Sequence, residues 1–268
     1  MKINHNHHTH IYLCKHALGT PEDYIKRAIT LGYETIAITD HGPLTEELKK
    51  QFSSRRMSFE QYEELYKPLL EKAKHEYTTT INVLSGVEIE YYDEMLEVYP
   101  YYLKDMNFLI LGQHNIQDEN GNFKDIYGNA KDEDIIEYKR RVLKGLDTGY
   151  FKILAHPDIF MFSYKKWNEL TEKISKEIIA KAYEKNCILE INANGIRRGI
   201  TFKNEIGEEV YLYPRIEFWR LVAEFQKEHD LKVMVNDDCH QPLFLCDEST
   251  KEAYKFAEKL KIKLVDHF

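Results

Sequence analysis

Two hydrophobic patterns alternate along the chain. Short runs rich in Val, Ile and Leu are typical of buried strands, and the longer segments between them repeat apolar residues at the spacing of an amphipathic helix. The runs predict seven strands, at 2–8, 34–39, 81–89, 107–112, 151–155, 187–191 and 232–236. The longer segments predict helices at 21–31, 58–77, 131–148, 169–185, 215–229 and 249–260. Repeated strand–helix units predict an α/β fold with a parallel sheet, either closed into a barrel or open and doubly wound.

The length of 268 residues fits one large α/β domain. We predict a single domain over 1–268, because no linker rich in Pro, Gly or Ser and no internal repeat divides the sequence. The start, MKINHNHHTH, has no apolar signal-peptide core, and no apolar run approaches the roughly 20 residues that a membrane-spanning helix needs. The four cysteines are far apart and form no CxxC pair. These features predict a cytoplasmic protein without a membrane partner.

Net charge narrows the class of ligand. The chain has 37 Lys and Arg against 45 Asp and Glu, a formal charge of −8, and its basic residues are scattered. An acidic chain binds the phosphate backbone of a long nucleic acid poorly. We therefore expect a small substrate, whose negative charge is met by local cations or by metal ions.

Potential metal ligands follow nearly every predicted strand. His8 and His10 alternate on the first strand and point to the same side, whereas His5 and His7 point to the other side and are interpreted as structural. A single such histidine is more often solvated or hydrogen-bonded, but six strand ends sharing the feature favour a barrel, whose active site lies at the carboxyl ends of its strands. The candidate ligands are His8, His10, His16, His41, Glu88, His114, His156, Asp238 and His240. Imidazole and carboxylate together suit Zn²⁺, Mn²⁺ or Fe²⁺.

Several motifs resemble those of the PHP (polymerase and histidinol phosphatase) metallophosphoesterases, across essentially the whole chain. They are HTHIYLCKH at 8–16, TDH at 39–41, GVE at 86–88, LGQH at 111–114 and LAHPD at 154–158. NDDCH at 236–240 resembles the family's glycine-serine-aspartate-x-histidine, but Asn236 and Asp237 replace its two small residues. We assign the metal role to Asp238, while Asp237 could compete as a ligand or alter the polarity nearby.

The resemblance implies a distorted (β/α)7 TIM-like barrel, the PHP fold, with three divalent metal ions. It implies one ion bound by His8, His10, Glu88 and Asp238, a second bound by His114 and His156 with Glu88 as a bridge, and a third bound by His16, His41 and His240. It further implies a phosphomonoesterase of the histidinol-phosphatase branch, which converts L-histidinol phosphate to L-histidinol and phosphate by means of a metal-bridging hydroxide. In this interpretation Glu88, Asp238 and His240 are catalytic through the metals.

Further polar residues are candidates for contact with the substrate or with a metal ligand. Asp158, two residues after His156, could orient a ligand or act as general acid for the leaving alkoxide. Arg197, in an asparagine-x-x-glycine-leucine-arginine-like stretch, and Arg215, after Tyr-Pro, are candidate phosphate contacts, with Arg198 as a competing candidate. Asp40 could support a ligand or face away. Glu90 and Asp93 could attract the amino group of a substrate.

Three alternatives remain open at this point. The chain could hydrolyse other small phosphate esters, or it could be a PHP-type exonuclease that acts on nucleotide ends. It could also be a metal-binding structural module without catalysis. Because none of the nine candidate ligands is missing, the sequence favours an enzyme.

Overall fold

A parallel sheet of seven strands organises the molecule. The computed structural model describes residues 3–51, 55–118 and 120–268. The strands are β1 (His5–Asn6), β2 (Thr35–Ile38), β3 (Asn82–Ile89), β4 (Phe108–Leu111), β5 (Asn115–Gln117), β6 (Phe123–Asp125), β7 (Phe151–Leu154), β8 (Ile188–Asn192), β9 (Thr201–Lys203), β10 (Glu209–Tyr211) and β11 (Val233–Asn236). The parallel sheet has the order β1-β2-β3-β4-β7-β8-β11, and β5–β6 and β9–β10 are separate antiparallel hairpins.

The two ends of this sheet approach each other and nearly close a barrel. Two asparagine side chains join them: Asn6 Oδ1 accepts from the Asp237 amide (2.7 Å), and Asn236 Oδ1 accepts from the His7 amide (2.8 Å). Further along both segments, the His10 amide donates to Cys239 O, at 2.8 Å. We call this junction of β1 and β11 the seam. It confirms the predicted barrel and excludes the open, doubly wound sheet.

Helices lie outside the sheet, between successive strands. The α-helices are Pro21–Leu31, Glu46–Gln51, Phe59–Gln61, Lys67–Tyr77, Val98–Tyr102, Asp132–Asp147, Met161–Tyr164, Glu169–Glu184, Ala193–Arg197, Ile216–Phe225 and Glu248–Leu260; Tyr62–Tyr66 is a π-helix, and Tyr12–Cys14, Asp93–Met95 and Pro242–Phe244 are 3₁₀ turns. Pro21 at the first helical position and a reciprocal pair of hydrogen bonds between Thr20 and Asp23 begin the first helix. Within the described residues, none of the helices has the length and apolarity of a membrane span.

Apolar residues pack in two places. A small cluster contains one or two residues from most strands of the parallel sheet and lies inside the barrel: Ala37, Phe108, Ile110, Ile153, Ala155, Ile188 and Met234. A much larger cluster fills the space between the sheet and the helices. Glu88 pairs in register with the inward-facing Ile110, so its carboxylate also points into the barrel, above this small cluster.

The seven predicted strands are all present, with some changes of length. The first was predicted at 2–8, but residue 2 lies outside the described residues and the paired part is only His5–Asn6. The predicted helix at 58–77 is a helical run interrupted by the π-turn Tyr62–Tyr66, and the one at 215–229 ends at Phe225. The two hairpins were not predicted, because each strand has only three residues, too few to show a hydrophobic period.

Candidate metal centre

The nine candidate ligands all come together at the carboxyl ends of the strands, around Glu88. Three histidine nitrogens surround Glu88 Oε2: His41 Nδ1 at 3.0 Å, His10 Nε2 at 3.4 Å and His8 Nε2 at 3.5 Å. On the other oxygen, His156 Nε2 lies 3.2 Å from Oε1 and His114 Nε2 lies 3.7 Å from it. Within the described residues, neither Glu88 Oε2 nor His41 Nδ1 has a hydrogen-bond partner, although both are buried. Oxygen and nitrogen atoms that converge without hydrogen-bond partners are typical of a metal site.

Asp238 and two further histidines complete the cluster at the seam. Asp238 Oδ1 lies 3.1 Å from His10 Nε2 and 3.7 Å from His8 Nε2. His240 Nε2 lies 3.1 Å from His16 Nε2. Asp238 and His156 both have positive φ angles, 45° and 32°, which are unfavourable for residues with a Cβ. Backbone strain of this kind is characteristic of functional positions.

Among the described residues, four sets of ligand atoms lie close enough to share an ion, within 4.8 Å of one another. The sets are His8, His10 and Glu88; Glu88, His114 and His156; His10, His41 and His240; and His10, Cys14 and Asp40. The first two agree with the grouping implied by the family resemblance. In the third, His10 takes the place of His16, which lies beside His240 instead.

The outward nitrogens of five histidines are held by oxygen acceptors. His8 Nδ1 lies 2.8 Å from Glu190, His10 Nδ1 lies 3.3 Å from Asp40, and His114 Nδ1 lies 3.1 Å from Glu90. His16 and His240 use backbone carbonyls, of Cys14 and Asp238, in the same way. Because carboxylate and carbonyl oxygens only accept, each Nδ1 donates, and in the neutral form of each ring Nε2 carries the lone pair that a metal ion can bind.

Charge in the cluster follows from burial and close neighbours. Burial opposes ionisation of Glu88, but His41, His8 and His114 outweigh it and hold the Glu88 pKa well below its usual value. Burial, with a smaller contribution from His10, lowers the pKa of His41 well below its usual value and that of His240 to about 3. Glu88 is therefore ionised and these two imidazoles are neutral, the forms in which both bind cations.

Gly112 leaves the space that the Glu88 carboxylate occupies. It directly follows β4, and a Cβ at this position would overlap Glu88 Oε1. Any side chain at position 112 would displace this carboxylate from the ligand cluster.

A cavity of about 440 Å³ opens onto the cluster. Besides ligand residues, it is lined by Arg55, Arg56, Glu90, Asn115, Asp125, Tyr127, Asn194, Arg198 and Phe244. Arg198 lies between two aromatic rings, 4.8 Å from the centre of Tyr127 and 5.6 Å from that of Phe162. Of the three arginines predicted to bind substrate, only Arg198 lines this cavity.

Arg197 does not face the cavity. Its guanidinium donates to Asp247 Oδ2 (2.7 Å) and to the Asp237 carbonyl (2.9 Å), and it lies 3.3 Å from Asp237 Oδ1. Asp237 also accepts from Thr250 and from the Cys246 amide, so its carboxylate points away from the ligand cluster. These contacts do not support the expectation that Arg197 binds phosphate. Asp238, whose carboxylate lies 3.1 Å from His10 Nε2, is better placed than Asp237 for the proposed metal role.

Arg215 and Asp158 form a buried structural pair behind the site. Arg215 is fully buried, donates to Glu217 (2.5 Å) and lies over the ring of Phe202. Asp158 accepts from the Arg215 amide and from Trp219 Nε1 (3.1 Å), and neither residue lines the cavity. Burial raises the pKa of Asp158 to about 7. The structure therefore does not place Arg215 against a phosphate or Asp158 against a leaving group.

Polar residues that support the ligands were not predicted from the sequence. Glu190 and Asn192 lie on β8, where Asn192 Nδ2 donates to Glu190 (2.7 Å) and to Asp238 (3.1 Å). Asn194 also donates to Asp238, at 3.2 Å. The signal was present in LEINAN, since a glutamate and two asparagines within and just after a buried strand need polar partners.

Comparisons with known proteins agree with this geometry. The model of the PHP domain family matches residues 6–194. A curated protein of Deinococcus radiodurans, named "Probable histidinol-phosphatase", is 26% identical over 154 residues, which are 55% of this chain and 53% of that protein. The chain thus spans about half the length of this relative.

Two solved structures share the fold at low sequence identity. One is a candidate histidinol phosphatase, HisK, of Listeria monocytogenes, with a TM-score of 0.72, 17% identity, and coverage of 92% of this chain and 99% of that one. The other is the histidinol phosphate phosphatase HisK of Lactococcus lactis, in complex with Zn, L-histidinol and phosphate. It has a TM-score of 0.72, 17% identity, and coverage of 98% of this chain and 95% of that one. With the family model matching more than half of its length and the same barrel in both structures, this chain belongs to the PHP domain family.

Proposed function

We propose that this protein is a metal-dependent phosphomonoesterase that hydrolyses L-histidinol phosphate to L-histidinol and phosphate. The observation that carries the proposal is the convergence of three histidine nitrogens within 3.5 Å of a buried Glu88 oxygen that has no hydrogen-bond partner among the described residues. The substrate is suggested by the Deinococcus relative and by the Lactococcus enzyme with its bound L-histidinol and phosphate.

The donor set fits several divalent ions. Seven imidazoles and two carboxylates suit Zn²⁺, Mn²⁺ or Fe²⁺, and we propose three ions, with Glu88 as the bridge between two of them. When bound, such ions lower the pKa of coordinated water and neutralise phosphoryl oxygens. His8 and His10 would hold their ion together with Glu88, and their outward hydrogen bonds to Glu190 and Asp40 fix both rings.

Arg198 is the residue that we assign to the substrate phosphate. Tyr127 and Phe162 restrict its guanidinium, which therefore loses little conformational entropy when it pairs with an anion. Its position on the cavity wall allows two hydrogen bonds to phosphoryl oxygens, which are strong because both partners are charged. Asn194, also on the wall, keeps Asp238 oriented. A small phosphorylated substrate and a cytoplasmic location are part of the same proposal.

A substrate panel tests the function. Phosphate release should be measured for L-histidinol phosphate, a nucleotide, a sugar phosphate and a short oligonucleotide, with protein loaded in turn with Zn²⁺, Mn²⁺ and Fe²⁺. We expect histidinol phosphate to have the highest kcat/KM. Arg198→Met should lower that value roughly 10- to 100-fold, the effect of one charge-assisted contact. Arg220→Met, at an exposed arginine paired with Glu208, is the matched control and should have no effect.

Each of the other possible results of this panel would favour one of the alternative functions. Equal turnover of all monoesters would remove the histidinol assignment but keep the phosphatase. Cleavage of the oligonucleotide with little monoesterase activity would indicate the exonuclease. Stoichiometric metal binding without hydrolysis of any compound would indicate a structural module.

A further inference from the structure

Arg56 is a buried cation in the wall of the cavity. Unlike Arg198, it directs its hydrogen-bond donors into the protein. Its side chain is 7% exposed. Arg56 Nη2 donates to Glu90 Oε1, and Nη1 donates to the carbonyl of Gly42 at 3.3 Å. Among the described residues, Nε is buried without a hydrogen-bond partner. Both terminal nitrogens are thus used inside the protein, and a direct contact with phosphate would require the guanidinium to leave Glu90.

The Glu90 contact connects Arg56 to one candidate ligand. The same oxygen, Glu90 Oε1, accepts from His114 Nδ1 at 3.1 Å. This fixes the ring with Nδ1 protonated and leaves the lone pair of Nε2 facing Glu88 Oε1, 3.7 Å away. Glu90 is fully buried, and Arg56 supplies the full positive charge that compensates its carboxylate.

The Gly42 contact connects Arg56 to a second candidate ligand. Gly42 directly follows His41, and its amide donates to Glu88 O at 3.0 Å. His41 also forms an isolated parallel bridge with Glu88. By holding the Gly42 carbonyl, Arg56 restricts the loop that sets His41 Nδ1 3.0 Å from Glu88 Oε2. His41 and His114 lie on opposite oxygens of the same carboxylate, with ring centres 5.7 Å apart.

We propose that Arg56 is a positioning residue for the metal centre, which sets His41 and His114 at the spacing that metal binding requires on the two sides of Glu88. The inference rests on the proposed function only in that these histidines bind metal. An arginine is needed because its planar fork donates to acceptors in two directions, whereas the single ammonium of lysine would reach one of them at this geometry. Arg56 therefore acts on two ligand sets at once, the one with His114 and the one with His41.

Metal affinity is the measurement that tests this role. Metal-free wild type and variants should be titrated with Zn²⁺ in competition with a chromophoric chelator, to give the number of ions bound and their dissociation constants. We expect Arg56→Met to lower the binding affinity for at least one of the ions by about 10- to 100-fold, the usual effect of losing a residue that hydrogen-bonds to a metal ligand. Arg56→Lys should lie between the wild type and Arg56→Met. The neighbouring Arg55→Met, at an exposed arginine on the same cavity wall, is the matched control for metal affinity.

A second readout separates positioning from mere stability. Nitrogen-15 spectra of the histidine rings in the metal-free protein should show His114 protonated at Nδ1 in the wild type and a mixture of tautomers in Arg56→Met. If Arg56→Met does not fold, Arg56→Lys and Glu90→Gln take its place in both measurements. Unchanged affinity and an unchanged His114 tautomer in a folded variant would overturn the role of Arg56. A wild type that binds no metal would instead overturn the proposed function.

Discussion

The pKa values of the adjacent histidines His7 and His8 are shifted in opposite directions, because their side chains point to opposite sides of the first strand. His8 faces the carboxylates of Glu190, Asp238 and Glu88; burial opposes its protonation, but these charges outweigh burial and raise its pKa well above the usual value. His7 packs against the rings of Phe268 and His5, at 5.2 and 5.4 Å. There burial lowers the pKa of His7 to about 3. The sequence alone predicted this division, since only alternate residues of a strand share a face.

The low pKa of His7 predicts a loss of stability in acid. An unfolded histidine has a pKa near 6.5, so the folded state binds this proton more weakly than the unfolded state. Its contribution is complete above pH 6.5 and decreases as the pH falls toward 3. At pH 5 the decrease should be about 2 kcal/mol, and His7→Phe should remove that part of the pH dependence. Urea denaturation at pH 8 and pH 5, in the presence of a chelator, measures this change in the free energy of unfolding.

A matched substitution controls for the loss of a histidine as such. His75, exposed on helix Lys67–Tyr77, is suitable, and His75→Phe should keep the pH dependence of the wild type. If His7→Phe loses as much stability between pH 8 and pH 5 as the wild type does, the interpretation of His7 is wrong.

At the scale of elements, the strand ends were predictable and the rotation of short helices was not. All seven strands of the parallel sheet were predicted from apolar runs, and the ligands that follow them could be identified because a barrel brings these strand ends together. Arg197 and Arg198 follow each other at the end of the short helix Ala193–Arg197, where neighbouring residues point about 100° apart. The family resemblance favoured Arg197, but the helix turns that residue toward Asp237 and Asp247 and leaves Arg198 on the cavity wall.

The Arg197 contacts should therefore matter for stability. They connect helix Ala193–Arg197 to the end of β11 and to the start of helix Glu248–Leu260. Arg197→Met would leave the buried Asp237 carboxylate without its cation, and we expect a loss of about 3 kcal/mol in the free energy of unfolding at pH 7.5. In Arg197→Met with Asp237→Asn, the loss should be smaller than the sum of the two single losses by at least about 1 kcal/mol.

Urea denaturation of the four proteins in this double-mutant cycle provides the measurement. All of them should be compared without metal, so that any effect on Asp238, the next residue, does not enter the result. Strictly additive losses would show that Arg197 and Asp237 do not stabilise each other.

At the scale of the whole molecule, the seam is the feature that the sequence could not reveal. The apolar pattern predicts seven parallel strands but not how the first and last of them meet, because β1 has only two paired residues and the junction depends on side-chain amides. The departure of NDDCH from the family pattern has its explanation here. Asn236 closes the seam by accepting from the His7 amide, and Asp237 pairs with Arg197.

The candidate metal ligands lie on both sides of the seam, so metal binding should close it. His8 and His10 follow β1, whereas Asp238 and His240 follow β11, and Asp238 Oδ1 lies 3.1 Å from His10 Nε2. An ion bound between them would link the two ends of the sheet. A metal present at 100 times its dissociation constant stabilises the folded state by about 2.7 kcal/mol per site. Hydrogen exchange with and without Zn²⁺ should show the strongest slowing at the amides of His10 and Cys239, which donate across the seam.

Amides between β4 and β7, which lie in the middle of the strand order and contain none of the candidate ligands, provide the internal control and should slow less. Asn236→Ala removes the 2.8 Å bond to the His7 amide, so exchange at the seam should be faster than in the wild type without metal and should be largely restored by Zn²⁺. Because local opening of the seam needs less free energy than global unfolding, the two regions should respond differently. Equal slowing of the seam and of the β4–β7 amides would show that metal stabilises the barrel only as a whole and that the seam has no separate opening.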